Sequence, residues 1–225
     1  SFTVLEALAL NDDPRLSVYF SLPNSIDPLS SIPYRARPIN PSGPINARYN
    51  RDSVSRVGEF FMSDQFSFNL LTAAEVYFLK AEAALAGLTS GDANDLFRSG
   101  IQLAMERYGV PGASIDDFLA GSAGMLNGSD EEKLEQIIVQ KYISLVYQST
   151  EAWTEHRRTG YPKMWLGNGP NATGGQVPRR LTYPSDEYSK NGPNVEDAAS
   201  RYPDGDKLMS RVWWDAKPGV PYIHP

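Results

Sequence analysis

The sequence contains no cysteine and only two histidines, His156 and His224. The first absence removes disulfides, thiolate nucleophiles and cysteine-ligated metal sites together. The second removes paired histidines at helical spacing as a zinc site. A serine triad would need a poised histidine and a strained Gly-x-Ser-x-Gly elbow, and neither is visible. No apolar run approaches the roughly 20 residues that a membrane-spanning helix needs. Excess positive charge is lacking as well, since 27 Asp and Glu against 21 Lys and Arg leave a formal net charge of −6. Phosphate backbones and anionic membrane surfaces are bound by clustered Lys and Arg that release counterions, so nucleic acid is not an expected partner. What remains is ordinary for a globular chain: 225 residues, 41% hydrophobic and 21% charged. Gly 18, Pro 17 and aromatics at 11% mark long loops and a surplus of rings.

The strongest pattern runs from Ser129 to Trp165. Ser129 with Glu132 has the spacing of a capping box. Leu134, Ile137, Ile138, Tyr142, Leu145, Val146, Trp153 and His156 recur at steps of three and four, one face of a helix. Asp130, Glu131 and Glu132 at its start and Arg157 and Arg158 at its end complement the helix dipole. Gly160 and Pro162 supply the stop. The pattern predicts a central helix over 130–158, with a break near Ser149-Thr150, where short hydroxyl residues compete for the backbone.

A helical hairpin precedes it. Thr72 and Glu75 form a second capping box before an alanine-rich helix over 73–86. Asp92 caps a partner striped by Leu96, Phe97, Ile101, Ala104, Met105 and Tyr108, ending at Gly109 and Pro111. Tyr77, Ala81, Ala84, Ala93, Phe97 and Gly100 follow the small-and-aromatic spacing of a tetratricopeptide unit, which cannot bury its faces alone. A helical turn over 114–119 and a glycine-rich linker over 121–128 lead to the long helix.

The flanks read differently. A short helix over 4–10 and a turn at Asn11-Asp12-Asp13-Pro14 open the chain. Six prolines between Pro23 and Pro44 then forbid ladders and helix interiors, which predicts a long loop clamped by Ile26, Ile32, Tyr34 and Ile39. Residues 48–69 are rich in Arg and Phe, with an extended piece over 57–62. After Trp165 come a flexible Gly/Asn loop over 167–175, an extended Arg180-Leu181-Thr182-Tyr183-Pro184, two short helices capped by Ser185 and Asn194, and a turn at Asp204-Gly205-Asp206. The expected fold is mainly α, with tetratricopeptide-like helical hairpins, long irregular loops and little strand. It divides into a lead-in over 1–70, a helical core over 71–166 and a C-terminal wrap over 167–225.

Candidate chemistry is thin. His156 continues the apolar stripe and reads as a hydrogen-bonded packing residue. Asp116-Asp117 and Asp130-Glu131-Glu132 fall at expected helix starts, where carboxylates serve the dipole. Asp204-Gly205-Asp206 lacks the further ligands of a calcium loop. Arg157-Arg158 suit a helix C-terminus. Nothing asks for a metal or cofactor. The surplus lies in tryptophan: an indole face packs on the C–H face of a sugar while hydroxyls seek polar partners at the edge. Trp165, beside the Gly/Asn loop, and Trp213 and Trp214 have that chemistry in loop-like surroundings, while Trp153 falls on the helix stripe and reads as core. Adjacent tryptophans in an extended segment cannot both face inward.

Gln140-Lys141-Tyr142, Glu151-Ala152-Trp153 and Arg157-Arg158-Thr159-Gly160-Tyr161-Pro162 do not stand alone. With Asp13-Pro14-Arg15-Leu16, the stretch from Ala74 to Ala84, Arg180 to Pro184 and Trp213-Trp214-Asp215, they resemble in order and spacing the second half of SusD/RagB-type outer-membrane nutrient-binding lipoproteins. The resemblance implies that residues 1–225 are a C-terminal portion, with a lipid anchor on a segment outside this chain. It implies non-catalytic binding of an oligosaccharide or peptide at the cell surface and delivery to a TonB-dependent outer-membrane transporter. That family's ligand contacts lie on variable loops, so no binding residue transfers by motif. Two other readings stay open: a helical-repeat scaffold for proteins, with Trp213 and Trp214 packed, and a glycoside hydrolase, which needs two carboxylates facing each other about 5–10 Å apart.

Overall fold

The computed structural model describes residues 2–28, 30–38, 43–165, 167 and 172–220. In chain order its elements are α1 (Phe2–Ala9), α2 (Leu16–Tyr19), β1 (Phe20–Ser21), α3 (Gly43–Arg48), β2 (Arg56–Val57), α4 (Ala73–Leu85), α5 (Ala93–Arg107), α6 (Gly112–Ala120), α7 (Asp130–Ser144), α8 (Ser149–Thr159) and α9 (Ser185–Ser200). Helix dominates. The sheet among the described residues is one antiparallel pair, Phe20 opposite Val57 and Ser21 opposite Arg56. The mainly α expectation holds.

Side chains at the helix starts explain where the hairpin begins. Thr72 Oγ1 accepts the Glu75 N–H at 3.1 Å, and the Asp92 carboxylate accepts the Asp95 N–H at 2.9 Å, caps worth about 1 kcal/mol each. Where α4 crosses α5, a Cβ on Gly100 would stand 2.8 Å from the Phe78 ring, so glycine permits the close approach. Phe78, Ala81, Phe97, Ile101, Met105 and Ile137 are the centre of the main core, which α6 closes with Ile115, Phe118 and Leu119. A second cluster, Leu8, Tyr19, Phe61, Tyr108 and Ile143, fastens the N-terminal segment.

The reciprocal half of the Thr72 capping box is absent because Glu75 turns inward. Its carboxylate lies 3.8 Å from the Lys141 ammonium, and Lys141, 1% exposed, lies 3.2 Å from Glu155. Arg158 donates to Glu155 at 2.7 Å and to both Glu82 oxygens at 2.6 and 2.7 Å. These charges tie α4, α7 and α8 together. Burial holds the Glu75 carboxyl above its usual range against the pull of Lys141. Burial acts on Glu155 in the same sense, but Arg158 and Lys141 outweigh it and leave that carboxyl low.

The helix expected over 130–158 is two helices. α7 opens with the Ser129–Glu132 capping box and stops at Ser144, whose hydroxyl donates to the Lys141 carbonyl at 2.7 Å. Tyr147, at φ +67°, turns the chain before α8 begins. Hydroxyl competition operates as expected, but at Ser144 rather than at Ser149-Thr150. Tyrosines take up the freed carbonyls: Tyr19 donates to Ile143 O at 3.0 Å and Tyr108 to Ser144 O at 3.2 Å. Arg15, fully buried, donates to Asp13 at 2.9 and 2.5 Å and to Gln140 of α7 at 2.5 Å.

α8 ends in a left-handed Gly160, φ +86°, and its last turn grips the C-terminal segment. The Arg157 guanidinium lies between the rings of Trp153, 3.6 Å from its centroid, and Trp214, at 4.6 Å. It donates to the Arg179 carbonyl at 2.9 Å, and Arg179 donates to the Arg157 carbonyl at 2.7 Å. Arg179 also pairs with buried Asp215 at 2.6 Å. Trp153, expected in the core, is half-buried and donates its indole N–H to Pro178 O at 2.7 Å. His156 is buried, as a packing residue should be, and its ring meets the Tyr161 and Pro162 backbone without a hydrogen bond of ordinary geometry. Burial and then Arg179 lower its pKa from the ordinary 6.5 to about 4, against weaker opposing pulls from the Tyr161 and Pro162 backbone and Asp215.

Smaller departures follow from packing. Residues 59–62, expected extended, form a 3-10 turn that buries Phe61. Ile26 is 48% exposed; among the described residues of that loop Ala36 and Pro23 are buried, and Ile39 lies outside the described residues. The two short helices are present as expected, separated within α9 by non-helical Asn191 (φ −140°, ψ 30°), and only the first cap differs, with Pro184 rather than Ser185 preceding the first turn. Residues 168–171 of the Gly/Asn loop, and His224, are also outside the described residues.

Two outcomes test this architecture. Lys141→Met leaves Glu75 without its cation and should lower the free energy of urea unfolding at pH 7 by about 3 kcal/mol, part of it restored by adding Glu75→Gln; a change below about 1 kcal/mol would contradict the network. Because the folded-state pKa of His156 is depressed, the unfolded chain alone takes up its proton as pH falls from 6.5 toward about 4. Stability is lost over that window and unaffected above it. Wild-type protein should therefore lose about 2 kcal/mol more than His156→Gln between pH 7 and pH 5, and parallel losses would refute the assignment.

Candidate functional site

The acidic groups read from the sequence do not converge. Asp116 and Asp117 are exposed within α6 rather than at its start. Glu132 is engaged in the α7 cap, Asp130 faces Lys133 at 3.3 Å, and Glu131 accepts from Tyr161 at 2.9 Å and Lys217 at 2.6 Å. Asp206 is a structural anion: it accepts from Arg180 at 2.6 Å, the Tyr188 hydroxyl at 2.7 Å and the Tyr183 N–H at 3.1 Å. A cleft of about 500 Å³ between the Asn11–Pro14 turn and α6 is lined by Asp12 and Asp117. Both are exposed, without the apolar enclosure that raises a general acid. Among the described residues, no group of three or more His, Asp or Glu side chains could hold a metal ion.

The candidate tryptophans occupy two neighbourhoods. Trp213 is 90% exposed, while Trp214 is half-buried with its ring on Arg157. The buried Arg179–Asp215 pair, helped by Arg211 donating to the Lys217 carbonyl at 3.0 Å, fixes the segment that presents Trp213. The pair thus splits one outward and one inward, but in a turn closed by the Asp215 N–H on Val212 O at 3.0 Å rather than in the extended segment expected.

Trp165 is 36% exposed and donates its indole N–H to Glu6 at 2.8 Å. Its ring centre lies 6.2 Å from that of Phe2, which lies 6.3 Å from Tyr49; the Arg35 guanidinium rests 4.5 Å above Tyr49. Sequence reasoning did not find this row. Its members come from α1, the end of α3 and the chain after α8, and no local pattern links positions so far apart. Arg35 also lines a hollow of about 120 Å³ with Ser25, Asp27, Ser30, Tyr34 and Ser53. Tyr34, expected only as a clamp, therefore presents its phenol to a polar recess. The arrangement offers ring faces with carboxylate, hydroxyl and guanidinium groups at their edges, the chemistry that grips a sugar ring without reacting with it.

Comparisons with known proteins agree with the fold. The model of the SusD-like family, described as starch-binding and associating with the outer membrane, matches residues 1–184. Among solved structures, the chain is similar to a chitin-binding protein, with 28% identity, TM-score 0.80, and 96% of this chain and 50% of that one covered. It is similar to a SusD homologue from Bacteroides thetaiotaomicron, with 29% identity, TM-score 0.77 and coverages of 93% and 50%. A SusD homologue from Bacteroides fragilis matches with 25% identity, TM-score 0.79 and coverages of 96% and 51%. The chain thus spans about half the length of these structures. No curated protein sequence matches it. With the helical hairpin, the Lys141 network and the Arg157 motif all inside the matched region, the chain belongs to the SusD-like family.

Proposed function

We propose that the chain is the C-terminal portion of a cell-surface binding protein that holds an oligosaccharide and breaks no bond. In this reading a lipid on a segment outside this chain anchors the protein to the outer membrane, and the ligand passes to a TonB-dependent transporter. The observation that carries the proposal is the row Trp165, Phe2 and Tyr49, with Glu6 and Arg35 at its edge. The rings are tilted to one another by 50° and 69°, so each can offer a face or an edge to a different part of one glycan. Exposed Trp213 is a second platform. Family membership supports the class, and the chitin-binding relative supports a glycan over a peptide.

A second reading has its own observation. Phe68, Leu70, at 88%, and Leu71 are exposed beside a cleft of about 380 Å³ lined by Leu71, Ala74, Leu103 and Tyr108. A tetratricopeptide-like hairpin stacks on another, so this face suits a helical partner.

In the full-length protein, oligosaccharide titration should change tryptophan fluorescence. Trp165→Ala should weaken binding roughly tenfold, about 1.4 kcal/mol, with no new reducing ends appearing on prolonged incubation. Reducing ends that accumulate in proportion to protein would overturn the non-catalytic assignment, and fluorescence unmoved by every glycan tried would remove the binding one.

A further inference from the structure

The charge of the whole chain conceals a local reversal. Residues 22–58 carry Arg35, Arg37, Arg48, Arg51 and Arg56 against Asp27 and Asp52, with no lysine or glutamate, in a chain of net charge −6. The fold brings the segments that carry Arg35, Arg48, Arg51 and Arg56 together. The Arg35 N–H donates to Ser55 Oγ at 3.0 Å, and the Ser55 N–H donates to Arg35 O at 2.8 Å. The Ser53 hydroxyl donates to Arg48 O at 3.0 Å, and the Ser25 N–H donates to Asp52 O at 2.9 Å. The segments bearing Arg35 and Arg48 to Arg56 are therefore laced together by their backbones.

What sets Arg48, Arg51 and Arg56 apart is that, among the described residues, no carboxylate answers them. Elsewhere Arg15, Arg158, Arg179, Arg180, Arg201 and Arg211 meet carboxylates. Arg98 and Arg107 donate to carbonyls, and Arg157 does so between two rings. Among the described residues, Arg48, Arg51 and Arg56 are exposed and make no ion pair or side-chain hydrogen bond, while Arg35 rests on Tyr49 at the end of the aromatic row. Asp52, the nearest acid in sequence, accepts instead from Asn24 at 2.9 Å. An arginine fork matches the planar or tetrahedral oxygens of a carboxylate or sulfate with two parallel hydrogen bonds. The hollow beside Arg35, of about 120 Å³ and lined by Asp27 as well as Ser25 and Ser30, has room for about four waters, too little for a sugar chain, so the exposed arginines outside it are the groups left to meet an anionic substituent.

We propose that this surface binds an acidic oligosaccharide, with Trp165, Phe2 and Tyr49 stacking on sugar faces and Arg35, Arg48, Arg51 and Arg56 pairing with carboxylate or sulfate groups. The inference rests on the binding reading above and narrows its ligand, away from the neutral starch of the family's description.

Calorimetry on the full-length protein decides it, using hexasaccharides of polygalacturonate, chondroitin sulfate and maltose, with polyphosphate as a plain polyanion. At least one acidic sugar should bind roughly tenfold or more tightly than maltohexaose, and should weaken about tenfold when salt is raised to where surface charges are screened. Arg48→Ala/Arg51→Ala should weaken that sugar about tenfold at an unchanged thermal midpoint, and Trp165→Ala should weaken it without affecting polyphosphate. Maltohexaose binding as tightly as both acidic sugars would overturn the acidic assignment and leave glycan binding standing. Binding of none of the sugars would overturn both. Acidic sugars matched by polyphosphate and indifferent to Trp165→Ala would mark a mere polyanion patch and overturn the proposal.

Discussion

An ammonium group withdrawn from water costs several kcal/mol unless carboxylates surround it, and Lys141 is such a group. Glu75 and Glu155 supply the charge from two other helices, and Arg158 passes the pairing on to Glu82. Apolar contacts tolerate sliding, whereas hydrogen-bonded ions do not. The poses of α4, α7 and α8 are consequently set together, and with them the direction in which the last turn of α8 aims Arg157. The C-terminal segment docks on that turn, so the position of the exposed Trp213 depends on an ion buried in the helical core.

Much of this was readable from the chain. Ser129, Asp92, Gly109 and Gly160 mark helix ends through local chemistry, and local chemistry survives tertiary context. The hairpin stripe was legible for the same reason. The motif residues were legible as a resemblance, but their roles were not: Glu75 fits a capping box on spacing alone, and only a lysine sixty-six positions away explains why it turns inward. The break after Ser144 was misplaced because two hydroxyl sites offered the same competition, and the tyrosines that settle it, Tyr19 and Tyr108, arrive from distant segments.

The candidate site was legible only in part. Tryptophans in loops announce themselves by cost, since an exposed indole forgoes burial. The partners of Trp165 did not, because Phe2 and Tyr49 look like ordinary helix and loop residues until the fold brings their rings together. Net charge hides local detail in a similar way. A sum over the chain measures its long-range field, while a ligand meets the few groups within a Debye length of about 10 Å.

The exchange between Arg157 and Arg179 has a wider meaning. Each guanidinium is received by the other's main-chain oxygen, so the seam depends on peptide groups that every residue type possesses. Between Arg180 and Asp215 the exposed positions can change their decoration while the Asp206 anchor and buried Val195 and Ser210 keep the segment moored. A surface built this way separates attachment from display, which lets one helical frame carry different recognition chemistries.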